Sequence, residues 1–353
     1  MKTKLLTSGV IAILLAAYFL NRSRPEPFVY KGEKHTGVSF VAPRNPLEQS
    51  SFENVKRVNA EWVSFMPYGF VGSEDTELHF VREGAEDSER HQWWGERPDG
   101  VKKCLELARK SGFKVMMKPH IWVQRGTYTG DFTLETEEEW NAFERTFAEY
   151  ILQYARIAEV FHVEVFCIAT EMESMVRERP DFFPALIRAV KKVYKGKLTY
   201  AENWDCFEEV PFWNQLDFVG IDGYFPLSDE KHPDYEELKK GWRKHLKQMD
   251  RFAAEVQKPI LFTEYGYRSC DFSTEKPWET DYSLPDNEAL QASAYRSLYE
   301  EVWQKPWFAG GYLWKWFPDK PQDRPSRDKF CPQHKQAEKV ITEYYAKNAS
   351  ELE

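Results

Sequence analysis

Two kinds of apolar pattern alternate along the chain. One is the continuous run, such as VEVFCIAT at 163–170 and PILFTE at 259–264, expected of parallel strands buried on both faces. The other recurs at helical spacing. Trp140, Phe143, Phe147, Tyr150, Ile151 and Tyr154 share one helical face, and Thr136 with Glu139 forms a capping box ahead of it. Val101, Cys104, Leu105 and Ala108 repeat the pattern earlier, and further helices are expected over 184–194, 238–256, 289–303 and 336–345. Strands are expected over 37–42, 61–66, 113–119, 163–170, 197–202, 216–222, 259–264 and 310–316. Eight strands in one strand–helix series predict an α/β fold, a single (β/α)8 TIM barrel spanning 35–348. Long connections after the second and seventh strands, Pro67 to Pro98 and Tyr265 to Pro285, would lie at the C-terminal mouth, where barrel active sites assemble.

The N-terminus departs from this alternation. Lys2 and Lys4 precede an uncharged apolar run from Leu5 to Leu20, the pattern of a secretory leader. Bulky Tyr18, Phe19 and Leu20 leave a poor cleavage signal, so residues 1–21 read equally as a signal peptide or as an uncleaved anchor tethering the protein through residues 5–20. Either places the barrel outside the cytoplasm. Residues 22–34, with Pro25 and Pro27, read as a linker.

Composition narrows the functional classes. The net charge of -9 over 353 residues, with no basic run, argues against a nucleic-acid partner, which needs a basic stripe. The five cysteines are scattered and form no C-x-x-C, so neither a zinc ribbon nor a redox motif is expected; Cys104 and Cys167 read as buried small hydrophobes. No set of His and acidic residues has metal-ligand spacing, and no cofactor is expected. Aromatic residues make up 16% of the chain; they fill cores, and their flat faces also stack on sugar rings.

Chemistry gathers at the C-terminal strand ends. The third strand ends in Lys118, Pro119 and His120, followed by Trp122; the fourth in Thr170 and Glu171; the fifth in Glu202, Asn203 and Trp204; the sixth in Asp222 and Tyr224; the seventh in Glu264 and Tyr265; the eighth in Trp314, Lys315 and Trp316. Any one of them reads equally as a surface polar residue, but together they ring one barrel mouth. Glycosidic cleavage needs two carboxyl groups across the scissile bond: one protonates the departing oxygen, and the other attacks carbon or activates water. The fourth and seventh strands stand nearly opposite each other in an eight-stranded barrel, so Glu171 and Glu264 can converge over its centre.

Between Gly37 and Phe317 the sequence resembles glycoside hydrolase family 113. The stretches that carry the resemblance are QWWGERPDGVKKC, MMKPHIWVQRGTYTGDF, FAEYILQYARIAEVFHVEVFCIATE, KLTYAENWD, FWNQLDFVGIDGYFPL and KPILFTEYGYRS, specific in their order and number. The resemblance implies a retaining double-displacement mechanism on β-1,4-mannan or manno-oligosaccharides. By motif, Glu171 matches the acid/base, Glu264 the nucleophile and Tyr224 the tyrosine that hydrogen-bonds the nucleophile, a contact that lowers a carboxyl pKa. Glu171 should instead have a raised pKa, as an acid near neutral pH requires. One position departs from the pattern: Thr170 stands where many relatives in the clan carry Asn before the acid/base, and Asn203 is a substitute donor.

Other residues complete the expected site. Lys118 and His120 are expected on substrate hydroxyls; His120 also reads as a satisfied core histidine. Trp93, Trp94, Trp122, Trp204, Trp314 and Trp316 are candidate sugar platforms, with Trp316 first because it ends the eighth strand. Thr170, Asn203 and Asp222 complete the expected binding residues. Glu173 is a rival acid, and Glu202 reads as a third carboxylate or as half of an ion pair with a lysine. Two other functions compete: hydrolysis of another β-linked glycan, endo or exo, and a surface carbohydrate-binding barrel without activity, which would need neither Glu171 nor Glu264.

Overall fold

A computed structural model describes residues 25–72, 75–85, 92–124, 127–318 and 326–350. Ten strands form in chain order: β1 His35–Phe40, β2 Trp62–Phe65, β3 Tyr68–Val71, β4 Lys114–Met117, β5 His120–Val123, β6 Val165–Thr170, β7 Lys197–Asn203, β8 Val219–Asp222, β9 Ile260–Tyr265 and β10 Phe308–Trp316. Eight of them, all but β3 and β5, close a parallel barrel in the order β1-β10-β9-β8-β7-β6-β4-β2, with helical crossovers between successive barrel strands as a parallel sheet requires, reduced between β7 and β8 to two short 3-10 turns, Phe207–Glu209 and Trp213–Gln215. The chain is therefore a (β/α)8 barrel. The helix Glu137–Val160 starts at the expected capping box: the Thr136 side chain accepts from Glu139 N, and Glu139 from Thr136 N.

The eight barrel strands match the expected ones to within a few residues; β3 and β5 were not expected. Pro67 and Pro119 lack the N–H that would continue the ladder, and the chain restarts beyond each as a short parallel pair. Tyr150 OH donates to both Pro67 O and His120 O, at 2.8 and 2.9 Å, and so ties this pair to the helix layer. Within it His120 and Trp122 alternate with buried Ile121 and Val123, so the first two share one face.

The main core lies between the barrel and its helices, and a smaller one plugs the barrel floor with Trp62, Met116, Val165, Phe218, Leu261, Ala309 and Tyr312. Buried His35 stacks on Trp62 at 3.7 Å and pairs with Tyr312 OH at 3.0 Å. Burial, with Lys197 and Lys114 nearby, pushes its pKa down to about 3 and keeps it neutral. All five cysteines are free, and Cys104 and Cys167 are buried. Residues 25–34 contain no helix or strand, yet Tyr30 N donates to Pro306 O at 2.8 Å and Gln257 to Glu26 O at 2.8 Å. The expected leader lies outside the described residues; among those described, no helix is long and apolar enough to cross a membrane.

The barrel strands depart from a regular ladder at several points, one low in β10 between Phe308 and Gly311 and the others at the mouth. Between Cys167 and Thr170, β6 holds one residue more than its partner β7. β9 has an extra residue just before Glu264, measured against both β8 and β10. β10 has one between Leu313 and Trp316, measured against β1. Each is a β-bulge, and a bulge re-aims the side chains beyond it.

Candidate active site

The bulges set what faces the mouth. Phe262 packs outward against Phe225, Trp242 and Phe308. Strict alternation would send Glu264 the same way; the extra residue turns it inward. Glu171, just past the bulge of β6, takes a left-handed backbone with φ of 50°, a conformation costing a non-glycine residue roughly 1–2 kcal/mol. Its N–H donates to Ala201 O at 2.8 Å. The two carboxylates line one cavity of about 460 Å³ with Tyr68, His120, Trp122, Tyr128, Thr170, Asn203, Asp222, Tyr224, Trp278 and Trp314.

Beneath this cavity lies a buried ion cluster. Lys118 Nζ, fully buried, reaches Asp222 Oδ1 and Oδ2 at 3.0 and 2.9 Å and Glu264 Oε1 at 2.5 Å. Thr263 donates to Asp222 Oδ1 at 2.7 Å, and Tyr224 OH to Glu264 Oε2 at 2.7 Å. Burial alone would lower the lysine's pKa, but Asp222 and Glu264 outweigh it and hold the cation. His120 Nε2 lies 3.4 Å from Glu264 Oε1. Burial and the Lys118 charge keep His120 well below the usual imidazole range and therefore neutral, so the contact is not an ion pair.

The carboxyl groups titrate differently from free ones. Burial, then Asp222 and Glu264, raise Glu171 well above the usual range. Glu264 is pushed up to about 7, first by burial and then by Asp222, while Lys118 and Tyr224 pull it down. Tyr224 thus acts in the direction read from the sequence, but burial is the larger effect. Two carboxyl groups facing one another hold one proton between them most readily. Lys118 and Tyr224 bind the charged form of Glu264, so the proton settles on Glu171. The arrangement brings a protonated and a charged carboxyl group, from strands three places apart in the cylinder, to one cavity.

Several expected placements are corrected. Lys118 does not reach toward substrate: a lysine this deep requires anions, and its amine is consumed by Asp222 and Glu264. Asp222 lines the cavity, but both its oxygens are held by Lys118. Trp316, the first choice of platform, is fully buried in the main core, because the bulge after Leu313 reverses its parity; Trp314 faces the cavity instead. Trp94 packs against the core beside α-helical Gly100, while its neighbour Trp93 lines an adjoining cavity. Trp204 does not line the cavity; it stacks behind Trp278 at 5.7 Å and supports that ring. Among the described residues Glu202 pairs with no lysine; it accepts from Tyr200 OH at 2.8 Å and Asn203 N at 2.9 Å. Glu173 opens a short helix, Glu173–Glu178, and lines a separate cavity.

Tyr68, Tyr128, Trp278, Thr280 and Phe330 also line the central cavity and were not expected there. Tyr68 follows the proline that ends β2, and Trp278 is the one aromatic in the otherwise polar stretch 273–281, a signal the sequence did carry. The adjoining cavity, about 610 Å³, shares Tyr68, Trp122 and Trp314 with the first and adds Phe70, Trp93 and Phe317. Among the described residues, the exposed large aromatics are Trp93, Trp122, Tyr128, Trp278 and Tyr282, and all but Tyr282 line one of these two cavities. Aromatic faces therefore concentrate at the mouth.

The family model for Glycoside Hydrolase Family 113 matches residues 46–335. A solved β-1,4-mannanase of that family, in a complex, is similar over 89% of this chain and 99% of its own, with 25% identity and a TM-score of 0.75. The family 113 β-mannanase of Alicyclobacillus acidocaldarius, solved with the ligand ManMIm, is similar over 90% and 99%, with 23% identity and a TM-score of 0.76. A Ruminococcus gnavus β-glucuronidase shares the fold at 14% identity and a TM-score of 0.63, over 92% of this chain and 53% of its own. No curated protein sequence matches the chain.

Proposed function

The chain belongs to glycoside hydrolase family 113, and from that premise we propose that this glycoside hydrolase cuts β-1,4-linked mannan or manno-oligosaccharides with retention, using Glu264 as nucleophile and Glu171 as acid/base. The observation that carries the reading is the shared cavity of Glu171 and Glu264, with a cation and a phenol bonded to only one of them.

In the first step Glu264 bonds to the anomeric carbon as the glycosidic C–O bond breaks, and the Glu171 proton passes to the departing oxygen. Charge leaves Glu264, and the hydrogen bonds from Lys118 and Tyr224 weaken. In the second step Glu171, now a carboxylate, takes a proton from water as that water attacks the same carbon and the bond to Glu264 breaks. Lys118 and Tyr224 then receive the returning charge. The glycone lies on the Glu264 side. Tyr68, within electrostatic reach of Glu264, leads into the larger adjoining cavity; Tyr128, near Glu171, faces the leaving group. Room on both sides supports cutting within a chain. The leader-like residues 1–21 support an extracytoplasmic location, which cell fractionation would test.

The test of the reaction is release of reducing ends from soluble mannan, with β-glucan and xylan in parallel and Glu264→Gln as control. NMR of the first-formed anomer reports retention. Equal inactivity of wild type and Glu264→Gln on all three glycans would sink the proposal, and an inverted first product would sink the nucleophile assignment.

A further inference from the structure

Behind the fourth and fifth barrel strands, away from the central cavity, sits a buried relay that no step above uses. Met172 N, next to Glu171, donates to Tyr200 OH at 2.9 Å. Tyr200 OH donates to Glu202 Oε2 at 2.8 Å, and Glu202 Oε1 accepts from Asn203 N at 2.9 Å. Tyr200 is fully buried among Phe183, Phe212 and Trp213. Glu202 is 1% exposed, has no cationic partner among the described residues, and lines a separate cavity of about 250 Å³. The relay ends on the left-handed turn that aims Glu171. Glu171 N is held by Ala201 O, between the two relay residues, so residues 200–202 fix the backbone on both sides of the Glu171 carbonyl.

We propose that Glu202, acting through Tyr200, is a positioning residue for the acid/base: it holds the strained Glu171 turn in its productive geometry, and its charge helps Glu171 keep its proton. The inference rests on the roles proposed above for Glu171 and Glu264. The geometry separates two contributions. Tyr200 supplies the mechanical link, because its hydroxyl both accepts from Met172 N and donates to Glu202. Glu202 adds a like charge behind Glu171, and a nearby negative charge favours the protonated acid.

The charged and titratable surroundings bear on the electrostatic half. Glu171 faces Asp222, Glu264, Lys118 and Glu202, with Tyr128 and Tyr224 also close. Glu202 faces Glu173, Asp222 and Tyr200, and Glu209, Cys206 and Arg177 share its cavity. Burial raises Glu202 to about 7, so it ionises across neutral pH, where the acid must still be protonated.

The experiment compares Tyr200→Phe and Glu202→Gln with wild type on manno-oligosaccharides and on an aryl β-mannoside whose leaving group departs unprotonated. Tyr200→Phe should lower kcat on the oligosaccharide roughly 10–100-fold, with KM unchanged and little loss on the aryl substrate. Glu202→Gln keeps a polar side chain beside Tyr200 and loses the charge; the alkaline limb of its kcat/KM profile should move down by roughly 0.3–1 pH unit. Equal losses on both substrates for Tyr200→Phe together with an unmoved alkaline limb for Glu202→Gln would overturn the inference. An inactive wild type would instead remove the proposed function itself. Glu202→Gln removes the charge and leaves the tyrosine intact, so if Tyr200→Phe misfolds, the alkaline limb of Glu202→Gln decides the question by itself.

Discussion

Replacing Lys118 by Met tests the ion cluster most directly. The substitution removes a fully buried cation bonded to three carboxylate oxygens, two of Asp222 and one of Glu264, and replaces it with a chain of similar length. Breaking a buried ion pair from one side costs about 3–5 kcal/mol, so a large loss of thermal stability is expected. The kinetic effect is more specific. Glu264 stands at about 7 with Lys118 present, and Lys118 lowers it both by charge and by hydrogen bond. At an effective dielectric of about 20, one charge roughly 3 Å away contributes several kcal/mol, and each pKa unit corresponds to about 1.4 kcal/mol. A rise of roughly 2 units or more follows. The assay is kcat/KM against pH on an activated aryl β-mannoside, where protonation by Glu171 is not needed and the acid limb reports Glu264 alone. That limb should move up by the same 2 units or more, with a loss of roughly 50-fold or more at pH 7 that narrows as pH rises. Adding Asp222→Asn should recover much of the stability and, because the Asp222 charge itself raises Glu264, part of the activity lost at pH 7. An acid limb that stays in place would refute the reasoning, since Lys118 would then be structural filling and not the counter-charge of the nucleophile.

Three further outcomes are expected. Glu171→Ala should lose most activity on mannan yet retain much more on the aryl substrate, whereas Glu264→Ala should lose both; equal loss on both substrates for Glu171→Ala would remove it from the acid role. Glu202→Gln should be more stable than wild type at pH 8. The folded pKa of about 7 lies above the ordinary 4.5, so the folded state binds a proton more tightly than the unfolded one, and stability falls as pH rises through that window. About 3 kcal/mol of ionisation penalty at pH 8, less about 1–2 for weaker hydrogen bonding, leaves a gain of about 1–2 kcal/mol that should vanish below about pH 4 in denaturation curves. Trp278→Ala should raise KM for long manno-oligosaccharides severalfold while sparing the aryl mannoside, as expected of a ring that touches only the leaving-group side; an equal effect on both substrates would place it elsewhere in the cleft.

The sequence carried the barrel because each strand is a local run bounded by turn residues, and it placed Glu171 and Glu264 at opposite mouth positions because strand order in a barrel follows chain order. Orientation was harder to read. Alternation assigns a side chain to a face only while the ladder is regular, and one unpaired residue in β10 moved Trp316 from the expected floor of the site into the core. Lys118 could not be distinguished from a surface lysine at a strand end, because what buries it comes from Asp222 and Glu264, 104 and 146 positions away. Trp204 and Trp278 illustrate a related limit: stacked rings share one environment, and only the fold decides which is in front. The side sheet of β3 and β5 escaped notice because each of its strands has only four residues and stands directly beyond a proline.

The bulges of β6 and β9 and the upper bulge of β10 sit at the mouth of the cylinder. Below them the staves can be selected for packing alone; above them, one spare residue per stave sets the aim of whatever reacts. Straightening the bulge of β9 at constant length would rotate the Glu264 carboxylate into the oily jacket and leave Lys118 short of one of its two anions. Because a stranded carboxylate and a half-paired lysine each cost several kcal/mol, such a barrel cannot lose the aim of Glu264 without also loosening its wall.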